Sequence, residues 1–436
     1  MLVAQAEGVP FPSAPVQHSA PRPASPPATT ALVPGLRRGE PGYARAVVAF
    51  LAAGLASFNA LYCTQALMPA LTRAFGADPA QASLTVSAAT GVLALAILPV
   101  SALSERFGRG RVIAVSALSA TALGLLLPLM PGLGWLIVLR AAQGLALAGV
   151  PATAMAWLSE EIDGAHLAPA MGQYVAGTTI GGLLGRLIPS GVLDLASWRW
   201  ALAATTVFAA VFAVVTVVLM PGQRRFVAKR LSVRHELDAV AGHWRRPQLA
   251  GLFVLAFLLM GVFVSLYDYV GYRLTGSFGL RQSEVGAIFL LYLFGTAAST
   301  LAGRGAARHG RRPVLLGGAL MSLAAMPLML SSELVLVVAG AALFTTGFFT
   351  AHSVASGWVG ALATRDRAEA SGTYLACYYL GSSIVGYLSG LVFHRFGWAA
   401  LVGWLAALLA AAVIVARAIG RRNDPVQVDR VSSLVP

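Results

Sequence analysis

Long apolar runs alternate with short polar segments along most of the chain. Each run has about 20 residues and few charges, which is the length that an α-helix needs to cross a bilayer. The segments between the runs are short and collect most of the arginines. The pattern predicts twelve membrane-spanning helices, at 46–71, 80–103, 111–131, 134–158, 168–193, 198–220, 249–273, 283–305, 313–331, 334–361, 369–393 and 398–419.

The composition fits a membrane protein and excludes a soluble one. Hydrophobic residues make up 57% of the 436 residues and charged residues only 11%, whereas soluble domains carry about 25% charged residues. A net charge of +14 would suggest nucleic-acid binding in a soluble chain. Because the bases here lie in short loops between apolar runs, we expect an all-α membrane protein with no nucleic-acid partner.

The placement of the basic residues predicts the orientation of the chain. Lysine and arginine are enriched in the cytoplasmic loops of membrane proteins. If the N-terminus is cytoplasmic, 24 of the 29 bases in loops, tails and the ends of spans lie on the cytoplasmic side. We therefore expect a multi-pass protein of a bacterial-type cytoplasmic (inner) membrane, with both termini in the cytoplasm.

Changes in composition divide the chain. The proline-rich start has no signal-peptide pattern and is typical of a disordered tail. A basic segment in the middle fits either a lipid-facing patch or a regulatory partner site. The expected units are a cytoplasmic tail at 1–45, six-helix bundles at 46–220 and 249–420, a linker at 221–248 and a second tail at 421–436.

The two bundles share an internal repeat at an offset of about 200 residues. Trp157 matches Trp358, and a short loop after the second span returns after the eighth. A repeat of this length favours duplicated halves with a central pathway between them. The loop residues that recur 202 positions later are Arg106, Gly108 and Arg109, matched by Arg308, Gly310 and Arg311.

Both loops resemble the loop signature of the major facilitator superfamily, G-x-L-A-D-R-x-G-R-[RK]. The first copy carries the acid as Glu105, while the second has Ala307 in that place. The resemblance implies two pseudo-symmetric six-helix bundles. It also implies that the loops act in the conformational switch, through Glu105, Arg106, Gly108 and Arg109 in one copy and Arg308, Gly310 and Arg311 in the other. For any single arginine, the alternative is plain topology charge.

A glycine cluster on the fifth span extends the resemblance. Gly177, Gly181 and Gly182 are similar to the G-P-x-x-G-G element of drug and proton antiporters, with Thr178 in place of the proline. Gly177 and Gly181 are four residues apart and therefore share one helix face. Another helix is expected to approach that face closely.

Charges inside the spans are the candidates for proton coupling. Asp268 is the one carboxylate at least five residues from both ends of a predicted span, and Arg140 and Arg186 are the two arginines in such positions. Intramembrane charges usually face a polar interior, although arginines near helix ends can extend to the interface and Asp268 could pair with Arg273. We expect Asp268 and Arg140, which lie at similar depth, to meet. Arg140 also begins an element similar to the family's R-x-x-x-G.

Polar side chains without charge are the candidates for a substrate cavity. Asn59 and His352 have an alternative role as packing residues. Short runs around Asn59 and Tyr267 resemble the arabinose-efflux-permease branch of the superfamily. The candidate cavity residues are Asn59, Gln65, Gln143, Tyr267 and His352.

The resemblance implies a secondary transporter that exports a small organic solute, sugar or drug-like, in exchange for protons by alternating access. Proton-coupled uptake is the first alternative, and sodium could replace the proton. A receptor without transport, or an intramembrane enzyme using Asp268 and His352, is a different class. The chain carries no P-loop, H-E-x-x-H or G-x-S-x-G motif, so no enzyme is expected. We expect no cofactor or metal, and a monomer surrounded by lipid.

Overall fold

The computed structural model describes residues 34–228 and 233–419. Outside the helices, these ranges contain one isolated backbone bridge, between Leu36 and Ile162. The predicted N-terminal tail through residue 33, residues 229–232 of the predicted linker and the predicted C-terminal tail lie outside the described residues.

Twelve long helical segments form most of the described chain, and the predicted all-α fold is confirmed. Ten continuous helices are long and apolar enough to cross a membrane, and a 30-residue helix after the fourth adds another. The last continuous helix, Arg367–Ala418, breaks at Gly397, where φ is +76°. The segments are α1 (Pro41–Phe75), α2 (Pro79–Phe107), α3 (Arg109–Leu129), α4 (Leu133–Glu161), α5 (Gly164–Leu193), α6 (Trp198–Leu219), α7 (Pro247–Phe278), α8 (Gln282–His309), α9 (Arg311–Leu330), α10 (Leu334–Leu362), α11 (367–396) and α12 (398–418).

The helices extend beyond the predicted spans at several of their ends, and the predicted linker contains an additional helix. Helix α1 begins at Pro41, five residues before the predicted start at 46, because proline fits the first turn of a helix. The predicted linker contains a short helix of its own, Val233–Trp244, which we call the linker helix. It packs against α7 and α11.

Close backbone contacts organise each set of six helices in the same way. In the first set, Gly177 of α5 lies against the backbone of Leu51 in α1. In the second set, Gly381 of α11 lies against the backbone of Phe257 in α7. A side chain at either glycine would overlap the neighbouring helix, so these two contacts depend on glycine.

Helices α2 and α11 join the first six helices to the last six along their length. At one end Gly390 of α11 touches Ala80 of α2, and at the other end Gly372 touches Leu98. Between these ends, the hydroxyl of Ser383 donates to the carbonyl of Ser87 at 2.7 Å. The two helices therefore form a continuous contact between the halves.

Further contacts between the halves lie on one side of the bundle, which we call the distal side because residues 105–109 are on the other side. There the Thr72 and Tyr272 hydroxyls are 2.7 Å apart, which joins α1 to α7. The Asp194 carboxylate after α5 accepts the backbone N–H groups of Gln282 and Ser283 at 3.1 and 3.2 Å, which joins α5 to α8. At this end, α5 packs against residues 282–291 of α8.

Candidate functional site

A break in α1 is filled by a buried arginine. The regular helix stops at Tyr62 and resumes after a turn, which leaves nearby carbonyl groups without helical partners. Arg140 of α4 supplies the donors: Nη1 donates to the Ala60 carbonyl at 2.8 Å, Nη2 donates to the Leu61 carbonyl, and Nε donates to the Thr85 carbonyl at 2.9 Å. Arg140 is 0% exposed. Its guanidinium therefore ties α1, α2 and α4 together.

Two of the predicted cavity residues are engaged by the protein itself. Gln143 accepts from Arg140 Nη1 at 2.5 Å and donates to the Ala120 carbonyl at 2.9 Å. In the amide orientation that satisfies both neighbours, Asn59 donates to the Thr205 carbonyl at 2.9 Å and accepts from the Gly185 N–H at 3.2 Å. Both side chains hold helices together.

The second buried arginine, Arg186 of α5, belongs to a different network. Its Nε donates to Gln65 Oε1 at 2.6 Å, and Gln65 Nε2 donates to Asp268 Oδ1 at 2.6 Å. None of the three side chains is more than 2% exposed. Gln65 thus connects an arginine of α5 with a carboxylate of α7, across the boundary between the first and last six helices.

Aromatic rings surround the Arg186 guanidinium. Its Cζ lies 4.1 Å from the ring centre of Tyr62, 4.9 Å from that of Tyr292 and 5.3 Å from that of Phe289. Ring faces attract a cation and exclude water from it. We call Arg186 with these three rings the arginine cage.

Several polar atoms in and beside the arginine cage have no hydrogen-bond partner in the described part of the chain. These are Asp268 Oδ2, Ser87 Oγ and the Tyr292 hydroxyl. Arg186 donates from Nε to Gln65 and from Nη1 to the Gly182 carbonyl at 2.5 Å. Its Nη2 donates to no described residue. Each unsatisfied buried polar group costs about 1–3 kcal/mol. The network is therefore equipped to bind something further.

The structure does not bring Asp268 and Arg140 together, contrary to the expectation from sequence. The hydrogen bonds of Arg140 go to carbonyls of α1 and α2 and to Gln143. Asp268 is connected to Arg186 instead. Arg273 donates to Ser277 and to the Ser331 carbonyl. The carbonyls exposed by the break in α1 compete for Arg140, and the sequence pattern does not show that Arg140 lies beside them.

Tyr267 and His352 lie in an aromatic cluster of the last six helices. The Tyr267 hydroxyl is 2.6 Å from Thr345 Oγ1, and its ring centre is 4.8 Å from that of Tyr292. His352 Nδ1 is 3.0 Å from the Tyr374 hydroxyl. Tyr267 therefore adjoins the arginine cage, while His352 belongs to a neighbouring group of rings.

The first loop signature forms a cluster of ion pairs. Arg109 Nη2 lies 2.7 Å from Glu160 Oε1 and 3.2 Å from Glu105 Oε1, and Arg109 is only 6% exposed. Gly108 adopts φ +96°, which a side chain would strain. Arg106 is exposed. Glu160 was not predicted from the sequence. Two consecutive acids, Glu160 and Glu161, follow the fourth predicted span on the same side as the basic loop at 105–111, and this was a usable signal.

The second loop signature has the same turn but a different electrostatic setting. Gly310 adopts φ +88°, and Arg308 is exposed. Neither Arg308 nor Arg311 forms an ion pair with a residue that the structure describes. The repeat places Ala307 where the first copy has Glu105 and Ala361 where it has Glu160.

The α5 glycines serve two purposes. Gly177 and Gly181 face α1, and a Cβ on Gly181 would lie 2.5 Å from the Leu55 carbonyl oxygen. Gly182 faces the other way, where a Cβ would lie 3.3 Å from Arg186 Nη1. The glycine cluster thus packs α5 on α1 and leaves room for the arginine cage.

Comparisons with known proteins agree on one family. The sequence model of the Major Facilitator Superfamily matches residues 50–275 and 269–433. The chain is 41% identical to the inner membrane transport protein YnfM of Escherichia coli, over 89% of this chain and 93% of that one, and 36% identical to the MFS-type transporter YybF of Bacillus subtilis, over 87% and 94%.

Solved structures share the fold at low sequence identity. A bacterial homologue of the human lysosomal transporter Spinster superposes with a TM-score of 0.73 at 15% identity, over 88% of this chain and 98% of that one. The nucleoside transporter NupG gives 0.69 at 16% identity, over 88% and 100%.

Proposed function

Because the chain belongs to the major facilitator superfamily, and is therefore a multi-pass membrane transporter rather than an enzyme, we propose that it is a proton-coupled secondary transporter of a small organic solute. Asp268 is the group that carries the proton, and transport proceeds by alternating access.

The single observation that carries this proposal is the chain Asp268–Gln65–Arg186. Ionised Asp268 accepts from Gln65 and attracts Arg186, whereas the protonated form loses most of this attraction. Because the chain links α7 to α1 and α5, a proton on Asp268 changes the free energy of a contact between the halves. A ligand shifts a conformational equilibrium only through such differential interaction.

Export in exchange for protons is the form that the resemblance to the arabinose-efflux-permease branch supports. In this form, proton and solute compete. Hydrogen-bond donors of the solute occupy ionised Asp268, and protonation from the other side releases them. The α5 glycine cluster, similar to that of drug and proton antiporters, fits this form.

Uptake together with protons is a second candidate, favoured by a different observation. Arg186 Nη2 has no acceptor among the described residues, so an anionic solute could bind there while Asp268 is protonated. Proton and solute then assist each other. The two forms predict opposite effects of pH on solute affinity. Acid weakens solute binding if proton and solute are exchanged, and strengthens it if they move together.

The loop cluster serves the conformational switch in either form. Glu105, Arg109 and Glu160 join the ends of α2, α3 and α4 on the loop side, which is the cytoplasmic side if the positive-inside prediction holds. We further propose six-helix bundles at 46–220 and 249–420 as the moving units, with both termini in the cytoplasm and the monomer as the working form.

The experiment is transport by the purified protein in proteoliposomes with an imposed pH gradient, using a panel of labelled sugars, aromatic acids and cationic dyes. Asp268→Asn is expected to abolish gradient-driven accumulation while solute exchange at equal pH persists. Asp238→Asn, at an exposed position of the linker helix, is the matched control and should behave as wild type. Accumulation by Asp268→Asn against a solute gradient would contradict the proposal.

A further inference from the structure

We propose that Arg186 and Tyr292 bind an anionic group of the transported solute, in the simplest case a carboxylate, and that this anion moves together with a proton on Asp268. The anion site stands on the geometry of the arginine cage alone. The joint movement with a proton rests on the proposed function.

The donors of this site are available in the structure. Arg186 commits Nε to Gln65 and Nη1 to the Gly182 carbonyl, and its Nη2 keeps both N–H groups without a described acceptor. The Tyr292 hydroxyl is buried and also unpartnered, on a ring whose centre is 4.9 Å from the Arg186 Cζ. A guanidinium edge and a phenol hydroxyl are donors that suit a carboxylate.

The charge of Arg186 has no direct counterion among the described residues. It lies within ion-pair distance of no described carboxylate, and it reaches Asp268 only through Gln65. A buried charge without a close partner is costly in a membrane. An anionic ligand would supply the missing partner, which neither a neutral nor a cationic solute could do.

The shape of the cage also restricts the ligand. The rings of Tyr62, Phe289 and Tyr292 lie around the guanidinium at distances typical of cation–π contacts, so a ligand must approach the free edge at Nη2. Next to the cage, the buried rings of Phe263 and Tyr267 make the surroundings apolar and aromatic. The solute is therefore expected to combine a carboxylate with an apolar or aromatic body.

The sum of buried charges determines how the anion moves. With the anion bound to Arg186 and Asp268 protonated, the network is neutral. With the anion absent and Asp268 ionised, it is neutral again. If an anion were exchanged for a proton, the network would have a net charge of about −1 with the anion bound and Asp268 ionised. It would have a net charge of about +1 with the anion absent and Asp268 protonated, and burying either net charge carries a large desolvation cost. The geometry thus favours the second form of coupling, in which anion and proton move together.

No other described group in contact with the network has a charge that changes near neutral pH. The titratable neighbours are tyrosines, whose ordinary pKa of about 10 keeps them neutral. Asp268 is therefore the group through which acid acts on anion binding. These tyrosines are Tyr62, Tyr267, Tyr269, Tyr272, Tyr292 and Tyr378.

The test is ligand-induced thermal stabilisation of the purified full chain in detergent. The probes are benzoate, cinnamate and hexanoate, each beside its primary amide, together with benzylamine. We expect the carboxylates to raise the melting temperature of the wild type and the amides and the amine to leave it unchanged. Arg186→Gln should weaken carboxylate binding by about tenfold to a hundredfold, the loss of one charge-assisted hydrogen bond, and Tyr292→Phe by about tenfold or less. Arg199→Gln, at an exposed arginine of α6, should bind as wild type.

The outcomes separate the two proposals. Equal stabilisation by amides and carboxylates, no response to any carboxylate, or full carboxylate binding by Arg186→Gln overturns the anion site. Binding to the wild type should strengthen from about pH 8 to about pH 6, where these acids remain ionised, whereas Asp268→Asn should bind independently of pH. If Asp268→Asn keeps the pH dependence while Arg186→Gln abolishes binding, the anion site stands and proton coupling through Asp268 fails.

Discussion

Arg140 and Arg186 are both buried in membrane-spanning helices, yet their surroundings differ in kind. Arg140 donates to three backbone carbonyls and one amide, and these acceptors are fixed by the helices that carry them. Arg186 donates to one carbonyl and to the side chain of Gln65, which in turn holds Asp268. It also keeps one terminal nitrogen without a described acceptor.

This difference separates a structural charge from a functional one. Fixed carbonyl dipoles satisfy Arg140 in every state in which α1, α2 and α4 stay together. Gln65 is a side chain that can rotate, and its acceptor Asp268 lies in the other half of the protein. We therefore propose that, of the two arginines, Arg186 is the one whose surroundings respond to a proton or to a solute.

The largest expected effect is the loss of stability on replacing Arg140. Arg140→Gln leaves several buried carbonyls without a donor, so the free energy of unfolding should fall by about 3 kcal/mol or more. Thermal unfolding of the detergent-purified protein measures this loss. Arg111→Gln, at an exposed arginine of α3, should unfold as wild type. A stable Arg140→Gln that transports normally would remove the distinction between the two arginines.

A matched pair of glutamines tests the same contrast with an intermediate effect. Gln143→Leu removes a partner of Arg140 and should lower the free energy of unfolding by about 1–3 kcal/mol. Gln65→Leu breaks the link between Arg186 and Asp268 and should impair proton coupling by about tenfold or more, whereas Gln143→Leu should retain coupling. Because Gln65→Leu also leaves two buried polar atoms without a partner, it should lower the free energy of unfolding by a similar amount. The two readouts are thermal unfolding and transport under a pH gradient. If the effects are reversed, the structural and functional roles are assigned to the wrong arginines.

The two loop arginines extend the contrast to the protein surface. Arg109→Ala removes ion pairs to Glu105 and Glu160, so it should slow exchange between states several-fold while solute affinity is retained. Arg311→Ala removes a charge without a described ion pair and should have a smaller effect. Solute counterflow rates, measured beside binding, distinguish the two. Equal rates in both variants would mean that the ion pairs of the first loop do not control the switch.

The smallest expected effect concerns the distal contact at Asp194. The Ser283 hydroxyl, with the backbone N–H groups of Ser283 and Gln282, lowers the pKa of Asp194. A lowered pKa in the folded state means that the contact contributes stability above the ordinary value of about 3.9 and that this contribution is lost as pH falls through the lowered pKa. Wild type should therefore melt slightly above Asp194→Asn at neutral pH, and the two curves should converge in acid. A constant difference down to acid pH would argue against this ionisation.

The sequence predicts what depends on periodicity and composition. The twelve spans follow from apolar length, and the close face at Gly177 and Gly181 follows from their spacing. Asp268 stands out as the one carboxylate at least five residues from both ends of a predicted span. Each of these features is local, and the surrounding fold does not need to be known.

What the sequence misses depends on contacts between distant segments. The partner of Arg140 is a set of carbonyls at and beside the break in α1. Pro69, in the first turn of the resumed helix, marks a break in the span, but nothing in the sequence places Arg140 next to it. Gln65 appears in the sequence as one polar residue among several, and its role arises because α5 and α7 lie on either side of it. Glu160 could have been inferred from its position opposite the basic loop, but its contact with Arg109 depends on how α4 ends.

The central claim is that Asp268 binds the transported proton within the chain formed with Gln65 and Arg186. Infrared difference spectra of the purified protein between acidic and alkaline pH test this claim most directly. The account predicts a protonated-carboxyl band in the wild type that disappears in Asp268→Asn, shifts in Gln65→Leu and remains unchanged in Asp238→Asn. A spectrum of Asp268→Asn identical to that of the wild type would contradict it.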